Sequence, residues 1–419
     1  MSAPFTLVEE WFGSRVYDHA AGRTLAFDPA LTALLVGALD RSVGEQIDAI
    51  ADGPTRERYA RAAEALYADG LFTYDLRFAG RVLRPPRTQG FLTGPLSVHL
   101  EVTAHCDLAC AHCFAGELPR AERPLGLADL DRLFAELASL GSFRLNLSGG
   151  EPTLRRDFFE LVDLALGHGL SPAVTTNAMR VTPAMAKAFG GRKLLWLNVS
   201  FDGASRATHE AIRGPETFDT LCENTRRLAA ETPVTLAFTV MRHNAHELEA
   251  AAALARELGA VGAVFRPMYP VGKALSNRHL LPSVDDYDRA TQALGALSGC
   301  ATRYGPRQRA AASELDPDTL GCGAGSTQAS ITVGGRVNPC GYLGAAFEAG
   351  TVRDTPFGQI WREGESFRQL RALHRTLGGC RARALDHTGR VDGDDPWDAP
   401  SAGLHPDSML VQIRTKGRP

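Results

Sequence analysis

The sequence predicts an α/β protein built on a partial barrel of six strand–helix units, with a small α+β domain before it and a loop-rich extension after it. Three observations support this prediction. At 419 residues the chain is long enough for two or three domains. Between residues 96 and 300, six apolar strand-like segments alternate with helix-like segments, which is typical of parallel strands with right-handed crossovers. Beyond residue 300 this regularity is lost.

Residues 1–80 predict a winged-helix-like α+β domain. Short strands are expected at RVYD and RTLAF, with LFTYD as a closing strand. Asp28 followed by Pro29 predicts the start of one helix, and Ser42 with Glu45 forms a capping box for the next. A DNA-binding winged helix would be basic, whereas this segment has 7 arginines and 12 acidic residues. We therefore expect no nucleic-acid partner.

Residues 81–95 are rich in Arg, Pro and Gly and are predicted to be a linker. The barrel then occupies residues 96–300. Its six strands are predicted at LSVHLEVTA, FRLNLS, PAVTTN, KLLWLNVSFD, PVTLAFTV and AVGAVFRPM. In parallel barrels the reactive residues lie at the carboxyl ends of the strands, and the motifs described next all follow strands.

Cys106, Cys110 and Cys113 come directly after the first barrel strand. The first residues of the chain do not form a signal peptide, and no stretch of about 18 apolar residues is present, so we expect a cytoplasmic protein without a membrane segment. Closely spaced cysteines in a reducing compartment indicate metal or cluster ligation. Three thiolates can hold a [4Fe–4S] cluster and leave one iron open. Zinc is the alternative, with His105 or His112 completing a tetrahedral site.

A second motif, Ser148-Gly149-Gly150-Glu151-Pro152, follows the second barrel strand. The two glycines are expected to let the backbone approach a ligand with exposed N–H groups, and Glu151 can hold an ammonium group. An ordinary strand-to-helix turn is the alternative. Together with the cysteine triplet, this motif resembles the radical S-adenosylmethionine (radical SAM) superfamily over roughly residues 96–300.

The resemblance implies a [4Fe–4S] cluster on the three cysteines, with SAM bound to its open iron. An electron from a donor such as ferredoxin or flavodoxin would cleave SAM to methionine and a 5′-deoxyadenosyl radical, which removes a hydrogen atom from the substrate. Gly149, Gly150, Glu151 and Pro152 would form the methionine-binding turn. Further SAM contacts are expected from Thr176, Asn177, Ser200, Asp202 and Arg266. Alternatives remain for two of them, a turn-forming Asp202 and a solvated Arg266.

Three later cysteines lie in the C-terminal extension, residues 301–419: Cys322, Cys340 and Cys380. Between the first two, ITVGGRVNPC predicts a short hairpin. The segments GGCRARAL and DDPW resemble the SPASM extension of radical SAM peptide maturases. Asp398 stands where a last cysteine usually closes that pattern, so the resemblance implies one auxiliary [4Fe–4S] cluster rather than two. Gln328 stands near the position of the missing fourth ligand, and Cys300 is an alternative.

The N-terminal domain resembles the peptide-recognition domain of ribosomal-peptide maturases, including the pyrroloquinoline-quinone chaperone. Such domains hold a precursor's leader as an added strand. The resemblance therefore implies a radical SAM maturase that modifies a precursor peptide by two-electron oxidative cross-linking. The alternatives are an enzyme acting on a small molecule such as a haem precursor, a peptide epimerase, and a non-enzymatic cluster or zinc scaffold.

Overall fold

The computed structural model describes residues 3–116, 123–286, 322–373 and 377–396, together with residues 289 and 292 and the backbone of Val411–Arg414. It confirms the α/β fold with a sheet of parallel strands at its centre. Cys300 and Asp398 lie outside the described residues. No helix in the described ranges has the length and apolar character needed to cross a membrane.

The N-terminal domain folds as a four-stranded sheet covered by three helices. The sheet has the order β3-β2-β1-β4, in which only the pair β1–β4 is parallel. Its elements are β1 (Phe5–Glu10), β2 (Gly13–Asp18), β3 (Arg23–Phe27), α1 (Pro29–Gly37), α2 (Val43–Asp48), α3 (Gly53–Ala68) and β4 (Gly80–Leu83). The Asp28 cap and the Ser42–Glu45 capping box are both present, as predicted.

Two strand predictions in this domain were incomplete or wrong. The strand β1 was not predicted, and LFTYD does not form a closing strand. A turn in which the Thr73 N–H donates to the carbonyl of Arg77, with Leu76 at a φ of 58°, interrupts that segment, and Tyr74 is 96% exposed. The closing strand is β4, so residues 81–83 belong to the sheet although they were predicted to be part of the linker.

The N-terminal domain packs directly on the barrel through a buried arginine. Arg15 forms an ion pair with Glu10, with its Nε 2.7 Å from the carboxylate. Its two terminal nitrogens each donate a 2.8 Å hydrogen bond, to the carbonyls of Gly141 and Leu140. These carbonyls immediately precede the second barrel strand, so the domain contacts the amino-terminal side of that strand, opposite the cysteine triplet.

The barrel contains the six predicted strands, each parallel to the next. They are β5 (Ser97–Thr103), β6 (Arg144–Gly149), β7 (Ser171–Thr176), β8 (Trp196–Phe201), β9 (Val234–Val240) and β10 (Gly262–Pro267). The helices around them are α4 (Leu127–Ser139), α5 (Phe158–Gly167), α6 (Pro183–Gly190), α7 (Arg206–Arg213), α8 (Phe218–Glu231) and α9 (Leu248–Glu257).

Side chains alternate along each barrel strand. On β5 and β6, Val98, Leu100, Leu145 and Leu147 are buried in the main hydrophobic core. The intervening residues line an interior cavity, and many of them are polar. The fold therefore encloses a polar space inside an apolar layer.

The extension continues the barrel sheet. The predicted hairpin is present as β11 (Gln328–Ile331) and β12 (Arg336–Asn338), and β11 pairs parallel with β5. The other elements of the extension are β13 (Gly350–Thr351), α10 (Phe357–Glu363), α11 (Glu365–Leu373), α12 (Arg381–Thr388) and β14 (Val411–Arg414), the last of which pairs antiparallel with β10. This pairing of β11 with β5 places the late cysteines beside the barrel interior.

Candidate active site

One cavity of about 460 Å³ occupies the barrel interior. Both sets of predicted cysteine ligands line it. The first set is Cys106, Cys110 and Cys113, and the late set is Cys322, Cys340 and Cys380. Groups bound by the two sets would therefore face the same space.

In the first cysteine set Cys110 is buried, Cys113 is half-buried and Cys106 is exposed, and hydrogen-bond donors lie close to the sulfurs. The Cys106 sulfur accepts from the backbone N–H of Leu108 at 3.5 Å and lies 3.8 Å from the Asn177 amide nitrogen. Burial raises the pKa of the Cys106 thiol to about 11 and also raises the pKa values of Cys110 and Cys113. Buried thiolates need a positive partner, which the irons of a cluster supply. The donor set therefore fits an iron–sulfur cluster.

A buried network lies behind this set. Asp202 is fully buried, and its carboxylate lies 2.5 Å from Nε of Arg213 and 3.4 Å from Nε2 of His112. Burial opposes its ionisation, but Arg213 and His112 hold the pKa of Asp202 below its usual range. The other end of Arg213 is 3.9 Å from the Cys110 sulfur. Asp202, expected to contact SAM, does not line the cavity, whereas Ser200 does.

The zinc alternative used His105 or His112 as a ligand, and in the structure Nε2 of His112 contacts Asp202. Within the described residues, no three His, Cys, Asp or Glu side chains converge as ligands of a single ion. In an iron–sulfur cluster, by contrast, each cysteine binds its own iron.

The two glycines of the second motif line the cavity and pack closely against the first barrel strand and the segment that follows it. The Gly150 N–H, expected to be exposed, donates to the Thr103 carbonyl, and the Glu151 N–H donates to the His105 carbonyl, both at 2.7 Å. A Cβ on Gly150 would lie 2.2 Å from the His105 oxygen. Gly149 has a φ of 118°, and a Cβ added to it would lie 2.4 Å from the Thr103 oxygen. The glycines therefore let the turn pack against the cysteine loop.

Glu151 is buried at the cavity wall and accepts several hydrogen bonds. Thr176 Oγ1 and the Asn177 N–H each donate at 2.7 Å, and Thr153 donates through both its hydroxyl and its N–H. Burial raises the pKa of the Glu151 carboxyl despite these donors. Pro152, which follows it, starts a short 3₁₀ turn and does not line the cavity.

The barrel interior also contains polar residues that the sequence analysis did not select. Asn146 donates to the Ser97 hydroxyl at 2.8 Å, and His99 lies 2.5 Å from the Ser148 hydroxyl. Arg213, which contacts the first cysteine set, was missed as well. The i, i+2 spacing of polar residues on β5 and β6 was the available signal, because alternate residues of a barrel strand face inward.

The late cysteine set is held by a second buried ion pair. The Cys380 N–H donates to the Asp395 carboxylate at 2.6 Å, and Arg383 binds both oxygens of that carboxylate, at 2.8 and 2.9 Å. The Cys340 sulfur accepts from the Tyr342 N–H at 3.5 Å. Gln328, predicted near the position of the missing fourth ligand, lines the cavity with this set.

Aromatic rings connect the two sets. Phe114 follows Cys113, and its ring lies 6.1 Å from that of Tyr342, near Cys340, in an edge-to-face contact. Tyr342 stacks on Tyr269 with ring centroids 4.7 Å apart.

Comparisons with known proteins agree with this arrangement. The model of the radical SAM superfamily matches residues 100–255, and the model of the iron–sulfur cluster-binding domain called SPASM matches residues 322–382. The chain belongs to the radical SAM superfamily and has a SPASM domain. These domains imply SAM and iron–sulfur clusters as cofactors.

This chain is similar both to proteins named heme synthases and to proteins named mycofactocin maturases. It is 30% identical to the AdoMet-dependent heme synthase of Methanosarcina barkeri, over 72% of this chain and 96% of the relative. It is also 30% identical to the mycofactocin maturase MftC of Mycobacterium ulcerans, over 78% and 93%. The fold is similar to Streptococcus suis SuiB, solved bound to its precursor peptide SuiA, with a TM-score of 0.67 at 13% identity over 94% and 98% of the chains.

Proposed function

We propose that this protein is a radical SAM maturase that modifies a ribosomally made precursor peptide by two-electron oxidative cross-linking, started by a 5′-deoxyadenosyl radical. The main support is the single cavity lined by both cysteine sets. The domain before the barrel adds to this support, because an enzyme with a small substrate has no leader to hold. The similarity to a mycofactocin maturase points the same way.

Cys106, Cys110 and Cys113 would hold a [4Fe–4S] cluster with SAM. When bound, this cofactor supplies a 5′-deoxyadenosyl radical that removes a hydrogen atom. Glu151, held by Thr176 and the Asn177 backbone, would accept the ammonium group of SAM at the cavity wall.

Further polar groups extend along the wall from the first cysteine set. The Asn177 amide lies near the Cys106 sulfur, and Ser200 ends β8 facing the cavity. Arg213 is fixed by Asp202 with its guanidinium beside Cys110, where it would offset negative charge on a thiolate. Together these residues would orient SAM and exclude water.

The late set would hold one auxiliary [4Fe–4S] cluster as the acceptor of the second electron. Cross-linking removes two hydrogens from the peptide. One goes to the deoxyadenosyl group, and the other leaves as an electron to the auxiliary cluster and a proton. Epimerisation would instead need a hydrogen donor such as a free thiol near the substrate. Cys222 does not fit that role, because it packs in the core on α8 and does not line the cavity.

The N-terminal domain would bind the leader of the precursor. β3 is an edge strand of its four-stranded sheet and can accept an added strand through main-chain hydrogen bonds. A ferredoxin or flavodoxin would deliver the first electron. Removing residues 1–83 should weaken binding of a labelled precursor without abolishing SAM cleavage, and unchanged affinity would exclude leader binding.

A small-molecule substrate is the second candidate, favoured by the similarity to a heme synthase. The test is mass spectrometry of the peptide encoded by a short reading frame beside the gene, after anaerobic turnover with SAM and a reductant. The expected product has lost two hydrogens, and its fragmentation is blocked between the joined residues. An unchanged mass with deuterium taken up from solvent would mean epimerisation. Conversion of a haem precursor but of no peptide would establish the second candidate.

A further inference from the structure

Arg266 differs from the other arginines that line the cavity. It lies near the end of β10, its residue is exposed, and within the described part of the chain its side chain forms no hydrogen bond or ion pair. Arg213 is buried and paired with Asp202. Arg144 stacks its guanidinium over the Trp196 ring at 4.9 Å. Among the described residues that line the cavity, Arg266 is therefore the arginine whose whole guanidinium is open to an anion from outside the chain, whereas Arg213 already pairs with Asp202 through its Nε.

The position of Arg266 follows from its place on β10, three residues before Tyr269, whose ring stacks on that of Tyr342 with centroids 4.7 Å apart. Burial, and then the positive charge of Arg266, lower the pKa of His99 to about 4. His99 lies on β5, and Tyr342 follows Cys340 of the late set. Arg266 thus faces the space between the two cysteine sets.

The cavity wall has little negative charge of its own to satisfy this cation. Among the described residues that line it, Glu151 is the only acid, and it already accepts four hydrogen bonds. The neutral wall near Arg266 includes Thr239 and Asn198. A guanidinium offers a planar pair of donors that matches a carboxylate.

We propose that Arg266 binds a carboxylate of the substrate peptide, either a Glu or Asp side chain or the C-terminus, and holds it between the two cysteine sets. This inference rests on the proposed function, since it concerns the substrate of the same cavity. The carboxylate of SAM is the alternative ligand for the Arg266 guanidinium. Arg213, beside the Cys110 sulfur, is better placed for SAM, which leaves Arg266 for the substrate.

The test uses anaerobically reconstituted, unreduced enzyme with SAM, so that no turnover occurs. Two pairs of probes are compared by saturation-transfer NMR. One pair is acetyl-Ala-Glu-Ala-amide and its Gln counterpart, and the other is acetyl-Ala-Ala-Ala as free acid and as amide. The variants are Arg266→Gln and Arg266→Lys. The matched control is Arg226→Gln, which removes an exposed ion pair between Arg226 on α8 and Glu257 on α9.

In at least one pair, the wild type and the control should bind the acid member about tenfold more tightly than its neutral counterpart, as a charge-assisted hydrogen bond predicts. The preference should disappear in Arg266→Gln and return in part in Arg266→Lys. SAM affinity should change by less than about threefold in both variants. A preference that survives in Arg266→Gln, or is absent from the wild type, would overturn the proposal. A tenfold or greater loss of SAM affinity would assign Arg266 to SAM instead.

This binding test is separate from the peptide-turnover test. If no precursor is modified but the Arg266-dependent preference is present, the maturase function fails while the carboxylate site stands, with a small acid as its ligand. If the precursor is modified and the preference is absent, the function stands and the Arg266 inference fails.

Discussion

Replacing Gly150 by alanine tests whether the glycine turn supports the cysteine loop. The added Cβ would lie 2.2 Å from the His105 oxygen and 2.6 Å from its carbonyl carbon. Restoring an ordinary contact requires a shift of about 1 Å. Such overpacking costs about 1–3 kcal/mol. Each of the 2.7 Å hydrogen bonds from Gly150 and Glu151 that breaks costs about 0.5–1.5 kcal/mol more.

Because the displaced segment, residues 103–105, leads directly into Cys106, the first cysteine set should lose its geometry before the rest of the fold does. The assays are urea unfolding of the apoprotein, iron and sulfide per chain after anaerobic reconstitution, and formation of 5′-deoxyadenosine from SAM. Iron should fall to roughly half, since the late set is untouched. SAM cleavage should fall at least about tenfold, since positioning errors of this size are costly in catalysis.

Gly167→Ala is the matched control. Gly167 ends α5, has no neighbour within 4 Å of its added Cβ, and does not have a positive φ. This variant should be as active as the wild type and as stable, or more stable by up to about 1 kcal/mol. Full iron content and full SAM cleavage in Gly150→Ala would refute the supporting role of the turn.

Two further predictions concern the contact between the N-terminal domain and the barrel. Arg15→Met should lower the free energy of unfolding in urea by about 3–5 kcal/mol, because Glu10 is left buried without its positively charged partner. Adding Glu10→Gln should recover part of that loss. No recovery would contradict the pairing. Burial, and then Arg81, lowers the pKa of His19 to about 4. The stability that the neutral His19 ring contributes is therefore complete above pH 6.5 and is lost as the pH falls toward 4. Between pH 7 and pH 5, the melting temperature of His19→Phe should fall less than that of the wild type. Equal falls in the two proteins would contradict this prediction.

The sequence predicted the barrel because each of its strands is an apolar run that ends in polar residues. It also predicted the two helix caps and the hairpin in the extension, because each of these depends on residues that are close together in the chain. The strand β1 was missed because FTLVEE ends in two acids, and the burial of Glu10 depends on Arg15, five residues later on another strand.

Contacts between distant segments were beyond sequence reasoning. The pairing of β11 with β5 joins residues more than 220 positions apart, and nothing local to either segment indicates it. The same limit applies to Arg213 with Asp202 and to Asp395 with Cys380, whose contacts are made only after the chain folds. The GG pair was recognised, but only the structure shows that its close contact is with the cysteine loop.

The most direct test of the central claim, that the first cysteine set supports radical SAM chemistry, is to measure 5′-deoxyadenosine and iron together in two proteins. These are the wild type and a variant with Cys106→Ala, Cys110→Ala and Cys113→Ala, both reconstituted and reduced without oxygen. The wild type should form 5′-deoxyadenosine from SAM. The variant should form none and should keep about half of the iron, on the late set. Continued formation of 5′-deoxyadenosine by the variant would contradict the assignment.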